Sequence, residues 1–223
     1  MRLVASDFDG TICRDHVVSA EDAEAITRWQ TEGNLFIVVT GRGKVDPFLH
    51  TRGFAADYYV YANGGRIFDK EMRPVWEKKI PICHAAPLEE WARRKDNSYT
   101  LLSEDLRGSM YQFTASFKND EQAREFESFV LRVKGDYLTP FLNHNTVDVP
   151  PKGVDKAGGV LRIADALGVK REDIFAVGDG ANDVPMLKAF HGFAMERSAP
   201  EAHAAVKGRC ATIAELLEKI RKI

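Results

Sequence analysis

The stretch Ser6-Asp-Phe-Asp-Gly-Thr11 (SDFDGT, residues 6–11) follows an apolar opening of Leu3, Val4 and Ala5, so two carboxylates and a glycine arrive where a short strand would end. A brief apolar run closed by a polar turn is the pattern of a strand buried on both faces. Two more runs repeat it, Leu35 to Thr40 (LFIVVT) and Ile174 to Val177 (IFAV), each ending in a polar or glycine-rich turn. Between the first two, Ser19-Ala-Glu-Asp22 reads as a capping box opening a helix, Ile26 and Trp29 supply its apolar stripe, and Gly33 stops it. Strand, helix and strand are complete by residue 40. Such a unit calls for a parallel sheet with right-handed crossovers, which meets its ligands at the carboxyl ends of the strands. SDFDGT stands at one of those ends.

The chain has 223 residues, enough for one large domain or a core with a smaller insertion, and 44% of them are hydrophobic, which can fill such a core. Basic and acidic residues number 31 and 33 for a net charge of -2, with no basic run, which argues against nucleic-acid and membrane-surface partners. Cys13, Cys83 and Cys210 are odd in number and far apart, so neither a disulfide framework nor a zinc site is expected and a reducing cytoplasm fits best. The N-terminus runs straight into a strand without a signal-type apolar region, and no apolar run approaches a membrane span. The expectation is a soluble, unexported protein.

From Tyr58 the rhythm changes to YYVY, an Asn63-Gly64 hairpin turn, and RIFD. The middle segment then predicts a helix near Pro87 to Lys95, strands at Tyr99 to Ser103 and Met110 to Phe117, a helix Asp120 to Lys134 between Asn119 and Gly135, and strands at Asp136 to Leu142 and Thr146 to Val149. Two successive α-β-β units of this kind form an open sheet with helices on one face. Pro81 with Pro87, and Pro150-Pro151-Lys-Gly153, mark the linkers. The α/β rhythm returns with Lys156 to Leu167, IFAV, Val184 to Phe190 and a last amphipathic helix from Ala214. The expected fold class is α/β: a Rossmann-like parallel-sheet core built from residues 1–80 and 152–223, with a smaller α+β (αββαββ) domain inserted at 81–151.

The chemistry gathers at strand ends. Asp7 and Asp9 repel one another unless a cation neutralises them. A second acidic cluster, Gly178-Asp-Gly-Ala-Asn-Asp183, follows IFAV and would meet the first at the same sheet edge. Asp7, Asp9, Asp179 and Asp183 then form an all-oxygen group that suits Mg2+, an ion that keeps sites for water and phosphate oxygens. Thr40-Gly41-Arg42 at a third strand end offers a hydroxyl and backbone N–H groups to a phosphate, and Lys156 opens a helix after a glycine turn. A transferring phosphoryl group needs positioning and charge neutralisation above all. One aspartate can attack phosphorus while a neighbouring carboxyl group protonates the departing alkoxide and later activates water.

Asp7-Phe-Asp-Gly-Thr11, Val38-Val-Thr40-Gly-Arg42, Lys156 and Gly178-Asp-Gly-Ala-Asn-Asp183 with Met186-Leu187 together resemble the four motifs of the haloacid dehalogenase (HAD) superfamily. Their order is similar to Cof-type phosphatases with a type IIB cap. Asn63-Gly64, Gly153-Val-Asp-Lys156 and Ala194-Met195 echo the subfamily, and the resemblance spans the chain. It implies Asp7 as nucleophile and metal ligand, Asp9 as general acid/base that also gives its backbone carbonyl to Mg2+, and Asp179 as the third protein ligand. It further implies that Thr40, with Gly41, and Lys156 bind the phosphoryl group, and that Asn182 and Asp183 support the metal and Lys156. The chain departs from the pattern where Glu196-Arg-Ser198-Ala199 replaces the usual Asn-Ala, and where a late acidic-glycine signature is absent.

The implied activity is Mg2+-dependent hydrolysis of a small phosphomonoester, a sugar phosphate or a phosphoglycolate-like acid, through an aspartyl-phosphate. A phosphomutase using the same intermediate is the enzymatic alternative, and a receiver-like phosphate-accepting module is the non-catalytic one. Plainer readings stand beside these. Lys152 rivals Lys156, Asn182 can serve as a helix N-cap, His144 can occupy a plain turn, and Gly178-x-Gly180 lacks the third glycine of a dinucleotide loop. Trp91, Phe113, Phe117, Phe126 and Phe129 have the spacing of cap core, whereas the segments Asp105 to Met110 and Asn143 to Asn145 are the places where specificity is expected.

Overall fold

A computed structural model describes residues 1–44, 53–94, 99–102, 109–143 and 145–223. Its first half runs β1 (Leu3–Asp7), α1 (Ala20–Thr31), β2 (Leu35–Val39), β3 (Tyr58–Tyr61), β4 (Arg66–Asp69) and β5 (Pro74–Glu77). A middle segment follows with β6 (Ile80–Pro81), α2 (Ile82–Arg94), β7 (Tyr99–Leu102), β8 (Ser109–Met110), β9 (Gln112–Ser116), α3 (Asp120–Lys134), β10 (Phe141–Asn143) and β11 (Thr146–Val149). The chain ends with α4 (Lys156–Leu167), β12 (Ile174–Gly178), α5 (Val184–Ala189), β13 (His191–Met195), α6 (Pro200–Ala205), β14 (Gly208–Cys210) and α7 (Ile213–Arg221).

The larger sheet has the order β14-β13-β12-β1-β2-β3-β4-β5, parallel from β14 to β3, with β4 and β5 added antiparallel. Its central strands β1, β2 and β12 are buried on both faces because their neighbours divide between two cores. Val4, Phe36, Val38 and Val177 pack with Ile26 and Trp29 of α1 and Leu216, Leu217 and Ile220 of α7. Leu3, Ala5, Ile37, Val39 and Ala176 pack on the other side with Val160 and Ile163 of α4 and Met186 and Leu187 of α5. Such two-sided burial is why these strands read as continuous apolar runs rather than alternating ones.

The smaller sheet, β10-β11-β9-β7, is antiparallel throughout. Phe113, Ala115, Phe117, Val147 and Val149 pack under α2 and α3 against Ala85, Leu88, Ala123, Phe126 and Val130, so both helices lie on one face. Trp91, Phe117, Phe126 and Phe129 meet edge-on, tilted or stacked with ring centroids 5.2–6.5 Å apart. Gln112, Thr114 and Asp148 alternate with those apolar positions and therefore point the opposite way, toward the larger sheet.

Local differences from the sequence expectations have physical causes. Ser19 caps α1 by accepting from the Asp22 N–H at 3.1 Å, but the reciprocal half of the capping box is missing. The Asp22 carboxylate turns instead to Arg14 Nη2 at 2.6 Å and to the Ala214 N–H, the start of α7, at 2.8 Å. Helix α2 begins at Ile82 and contains Pro87, so that proline does not mark a linker; buried Ala85 and Leu88 hold the turn before and after it. Residues expected as strand from Asp136 instead leave α3 through a turn, with the N–H groups of Tyr137 and Leu138 donating to Lys134 O, and β10 starts only at Phe141. Ser109–Met110 pairs with Ile80–Pro81 rather than continuing β9. Strands β5, β6, β13 and β14 and helix α6 were not expected: they are short or, like β13 with its exposed His191 and half-buried Gly192 and Phe193, lack the continuous apolar run of the central strands. Lys95, Ser103, His144 and the Asp105–Gly108 part of one expected specificity segment lie outside the described residues.

Candidate active site

Parallel registry brings the carboxyl ends of β1, β2 and β12 level, with Asp7 opposite Val39 and Ser6 opposite both Val38 and Val177. Asp7 ends β1, Thr40 follows β2 and Asp179 follows β12, so three turns open at one edge. Lys156 arrives from the fourth direction as the first residue of α4, whose N-terminus Asp155 caps by accepting from the Gly158 N–H at 2.7 Å. The Lys156 ammonium is 1% exposed and donates to Asp7 Oδ1 at 2.6 Å and Asp183 Oδ1 at 2.5 Å. Lys152, its sequence rival, instead donates to Gly135 O from an exposed position.

Asp183 uses its second oxygen to accept from the N–H groups of Asp179 and Gly180 at 3.0 and 2.9 Å. This closes the Gly178–Asp183 turn and fixes Asp179, whose Oδ1 also accepts from Thr11 Oγ1 at 2.8 Å. Gly10 permits that approach: its φ is +82°, and a Cβ there would lie 2.3 Å from Asp179 Oδ2. Asn182 is no N-cap; its amide donates to Asn63 Oδ1 at 3.3 Å from within the turn. Thr40 is buried beside Gly41, and its Oγ1 accepts from the Arg42 N–H at 3.1 Å.

Among the described residues, Asp7, Asp179 and Asp183 each offer an oxygen lying within 4.8 Å of the other two. Three carboxylates without histidine or cysteine form a donor set for a hard divalent cation, and the residues present fit one. The electrostatics agree. Burial raises the Asp7 carboxyl well above the usual carboxylate range; Lys156 opposes the rise, and the charges of Asp183 and Asp179 add to it. Burial likewise raises Asp179 against the pull of the Thr11 hydroxyl. Burial would lower Lys156, but Asp183 and Asp7 outweigh it and hold the ammonium above its ordinary value. One lysine among two buried carboxylates and a half-buried third leaves excess negative charge, which a proton or a cation relieves.

The Asp9 carboxylate stands apart from this cluster. Arg42 grips it through Nε to Oδ2 at 2.8 Å and Nη2 to Oδ1 at 2.6 Å, while lying 5.4 Å from the Phe8 ring centre. The Asp9 side chain, as placed, is therefore engaged by Arg42 and does not join the three clustered carboxylates.

The cleft above these residues has a volume of about 1050 Å3 and is lined from the core by Asp7, Asp9, Thr40 and Asp179 and from the middle segment by Thr114 and Asp148. Sequence reading missed the polar face of that roof. Asn63 Nδ2 donates to Gln112 Oε1 at 3.0 Å and to Asp148 Oδ2 at 3.1 Å, Gln112 Nε2 donates to Gly41 O at 2.9 Å, and Thr114 Oγ1 donates to Asp148 Oδ1 at 2.7 Å. Burial raises Asp148, with the Thr114 and Asn63 hydrogen bonds and the Lys156 charge opposing. The signal was present in the strict alternation of Gln112-Phe-Thr-Ala-Ser116 and Thr146-Val-Asp-Val149.

A cap sheet whose polar face closes over aspartates at a parallel-sheet edge defines a capped, Rossmann-like α/β protein with an acidic site. A profile of the haloacid dehalogenase-like hydrolases matches residues 4–139 and 93–215, and the chain belongs to that family, in its Cof-type branch. Among curated proteins it is 23% identical over 205 residues to a 5-amino-6-(5-phospho-D-ribitylamino)uracil phosphatase of Bacillus subtilis, covering 84% of this chain and 80% of that one. It is 28% identical over 224 residues to a phosphoglycolate phosphatase of Methanothrix thermoacetophila, covering 95% and 89%. The HAD subclass IIB sugar phosphatase BT4131 shares its fold with a TM-score of 0.85 at 20% identity, covering 100% of this chain and 98% of that one. The chain is accordingly a phosphoric monoester hydrolase of this family. Among the described residues no helix is long and apolar enough to cross a membrane.

Proposed function

We propose that this protein is a cytoplasmic, Mg2+-dependent phosphatase of small phosphorylated metabolites that works through an aspartyl-phosphate. The observation that carries the reading is the buried Asp7–Lys156–Asp183 contact beside Asp179, at the strand ends and beneath a roof. Asp7, Asp179 and Asp183, with the Asp9 carbonyl, would hold Mg2+, which when bound neutralises charge on the phosphoryl oxygens. Thr40, Gly41, Lys156 and Asn182 hold the phosphoryl group. An Asp7 oxygen attacks phosphorus as the ester oxygen departs with a proton from Asp9, and Asp9 then takes a proton from the water that cleaves the aspartyl-phosphate. To do so, Asp9 turns away from Arg42. The core comprises residues 1–80 and 152–223, and residues 81–151 form a cap that excludes bulk water during the reaction.

The test is phosphate release from p-nitrophenyl phosphate. Activity is expected with Mg2+, to vanish on chelation and to return with the ion. Asp7→Asn and Asp9→Asn should each abolish it while thermal melting shows a folded protein. Full turnover by Asp7→Asn would end the proposal, and conversion of a sugar monophosphate to its isomer without phosphate release would point to a mutase.

A further inference from the structure

The roof carries a polar device that the reaction does not use. Gln112 and Thr114 on β9 and Asp148 on β11 share the sheet face opposite the cap's apolar core. Gln112 is fully buried and bridges to Gly41 O and Thr114 Oγ1, and Asp148 accepts one hydrogen bond on each oxygen, from Thr114 and from Asn63. Asp148 also lies against the loop proposed to hold phosphate: a Cβ built on Gly41 would be 3.1 Å from Asp148 Oδ2. A substrate whose phosphate rests on Thr40 and Gly41 must place the rest of its body near this carboxylate.

We propose that Asp148, oriented by Thr114 and Gln112, selects the alcohol portion of the substrate, accepting a hydroxyl-rich chain and rejecting one that bears a carboxylate in place of a terminal hydroxymethyl group. The inference rests on the phosphatase reading above and chooses among the substrates it allows. Each carboxylate oxygen has a second lone pair after its protein bond, so substrate hydroxyls find acceptors already fixed in position. A carboxylate brought to the same place meets like charge and offers no donor, an arrangement that costs binding whatever its shape. Selection by fixed polar partners is far stronger than selection by apolar fit, because a mismatched ligand leaves buried groups without partners. Arg124 and Arg197 line the same cleft from exposed positions and are the groups a carboxylate would seek if Asp148 did not decide.

A matched pair of substrates tests the idea. Glycerol 3-phosphate and 3-phosphoglycerate differ only by a hydroxymethyl group in place of a carboxylate, and p-nitrophenyl phosphate has neither. The wild-type enzyme with Mg2+ is expected to favour glycerol 3-phosphate in kcat/KM by about tenfold or more. Asp148→Asn should shrink that ratio by about tenfold, and Thr114→Val, which frees one Asp148 oxygen, should shift it the same way by less. A wild-type preference for 3-phosphoglycerate would overturn the proposal and turn attention to the two arginines. So would an unchanged ratio in both variants, or in Thr114→Val alone should Asp148→Asn not fold. Failure to hydrolyse even p-nitrophenyl phosphate would instead sink the underlying phosphatase reading.

Discussion

Lys156 holds two carboxylates that would otherwise face each other across the end of β1. Its ammonium is enclosed, and both Asp7 and Asp183 depend on it for charge balance. Removing one partner of a buried ionic group strands the others, at a cost of about 3–5 kcal/mol. Lys156→Met keeps the length of the apolar stem and removes only the charge, so packing against α4's neighbours survives. In the presence of chelator the variant is expected to melt roughly 6–20 °C below the wild type, the span such a loss implies for a chain of this size. Because the stranded carboxylates attract a cation more strongly, the rise in Tm on adding Mg2+ should be larger for Lys156→Met than for the wild type. Melting curves with and without the ion check both statements, and an unchanged chelated Tm would show that the lysine is dispensable to the apo fold. Phosphate release should be lost in either case.

At the scale of elements, α4 must approach the sheet closely enough for its first residue to reach Asp7. Gly64, in the turn between β3 and β4, makes the approach possible: its φ is +104°, and a Cβ there would sit 2.1 Å from Asp155 O. Gly64→Ala therefore combines backbone strain with a clash against a helix cap, and is expected to destabilise by about 2–4 kcal/mol. The displaced cap moves Lys156, so kcat on p-nitrophenyl phosphate should fall with stability; a variant as stable and active as the wild type would contradict this account. The helices and buried strands around this contact were legible because their signals are local. Asn119 and Ser19 announce helix starts, and the apolar runs of β1, β2 and β12 announce burial on both faces. The Asn63–Gln112–Asp148 bridge was not legible, since it joins residues 49 and 85 positions apart through side chains that meet between the two sheets, a contact that no local pattern specifies. Asp22 was misread for a related reason: a distant helix N-terminus, that of α7, outcompetes its own backbone for the carboxylate.

Across the whole molecule, the candidate cation site joins the two ends of the chain around the inserted cap, taking Asp7 from β1 and Asp179 and Asp183 from the turn after β12. Metal binding should consequently stabilise the entire core rather than one loop, and it should do so in a pH-dependent way. Burial raises Asp7 and Asp179 above the usual carboxylate range, so the metal-free folded state retains protons that the unfolded chain has released. Where the native state binds more protons than the unfolded one, stability falls as pH rises, and this contribution declines from the ordinary carboxylate range up through the raised values. Mg2+ requires the ionised carboxylates and displaces those protons, so its affinity and its stabilising effect grow over the same interval. A hundredfold excess over Kd stabilises by about 2.7 kcal/mol, roughly 5–10 °C in Tm for a chain of this length. At one fixed Mg2+ concentration the Tm increment is expected to be larger near about pH 8 than near about pH 5.5, because protons on the raised carboxyls compete with the ion more strongly at the lower pH. Asp179→Asn, which removes one of the proton-retaining carboxylates and one ligand, should flatten that difference. Equal increments at both pH values in the wild type would mean that Mg2+ meets no bound proton at this site.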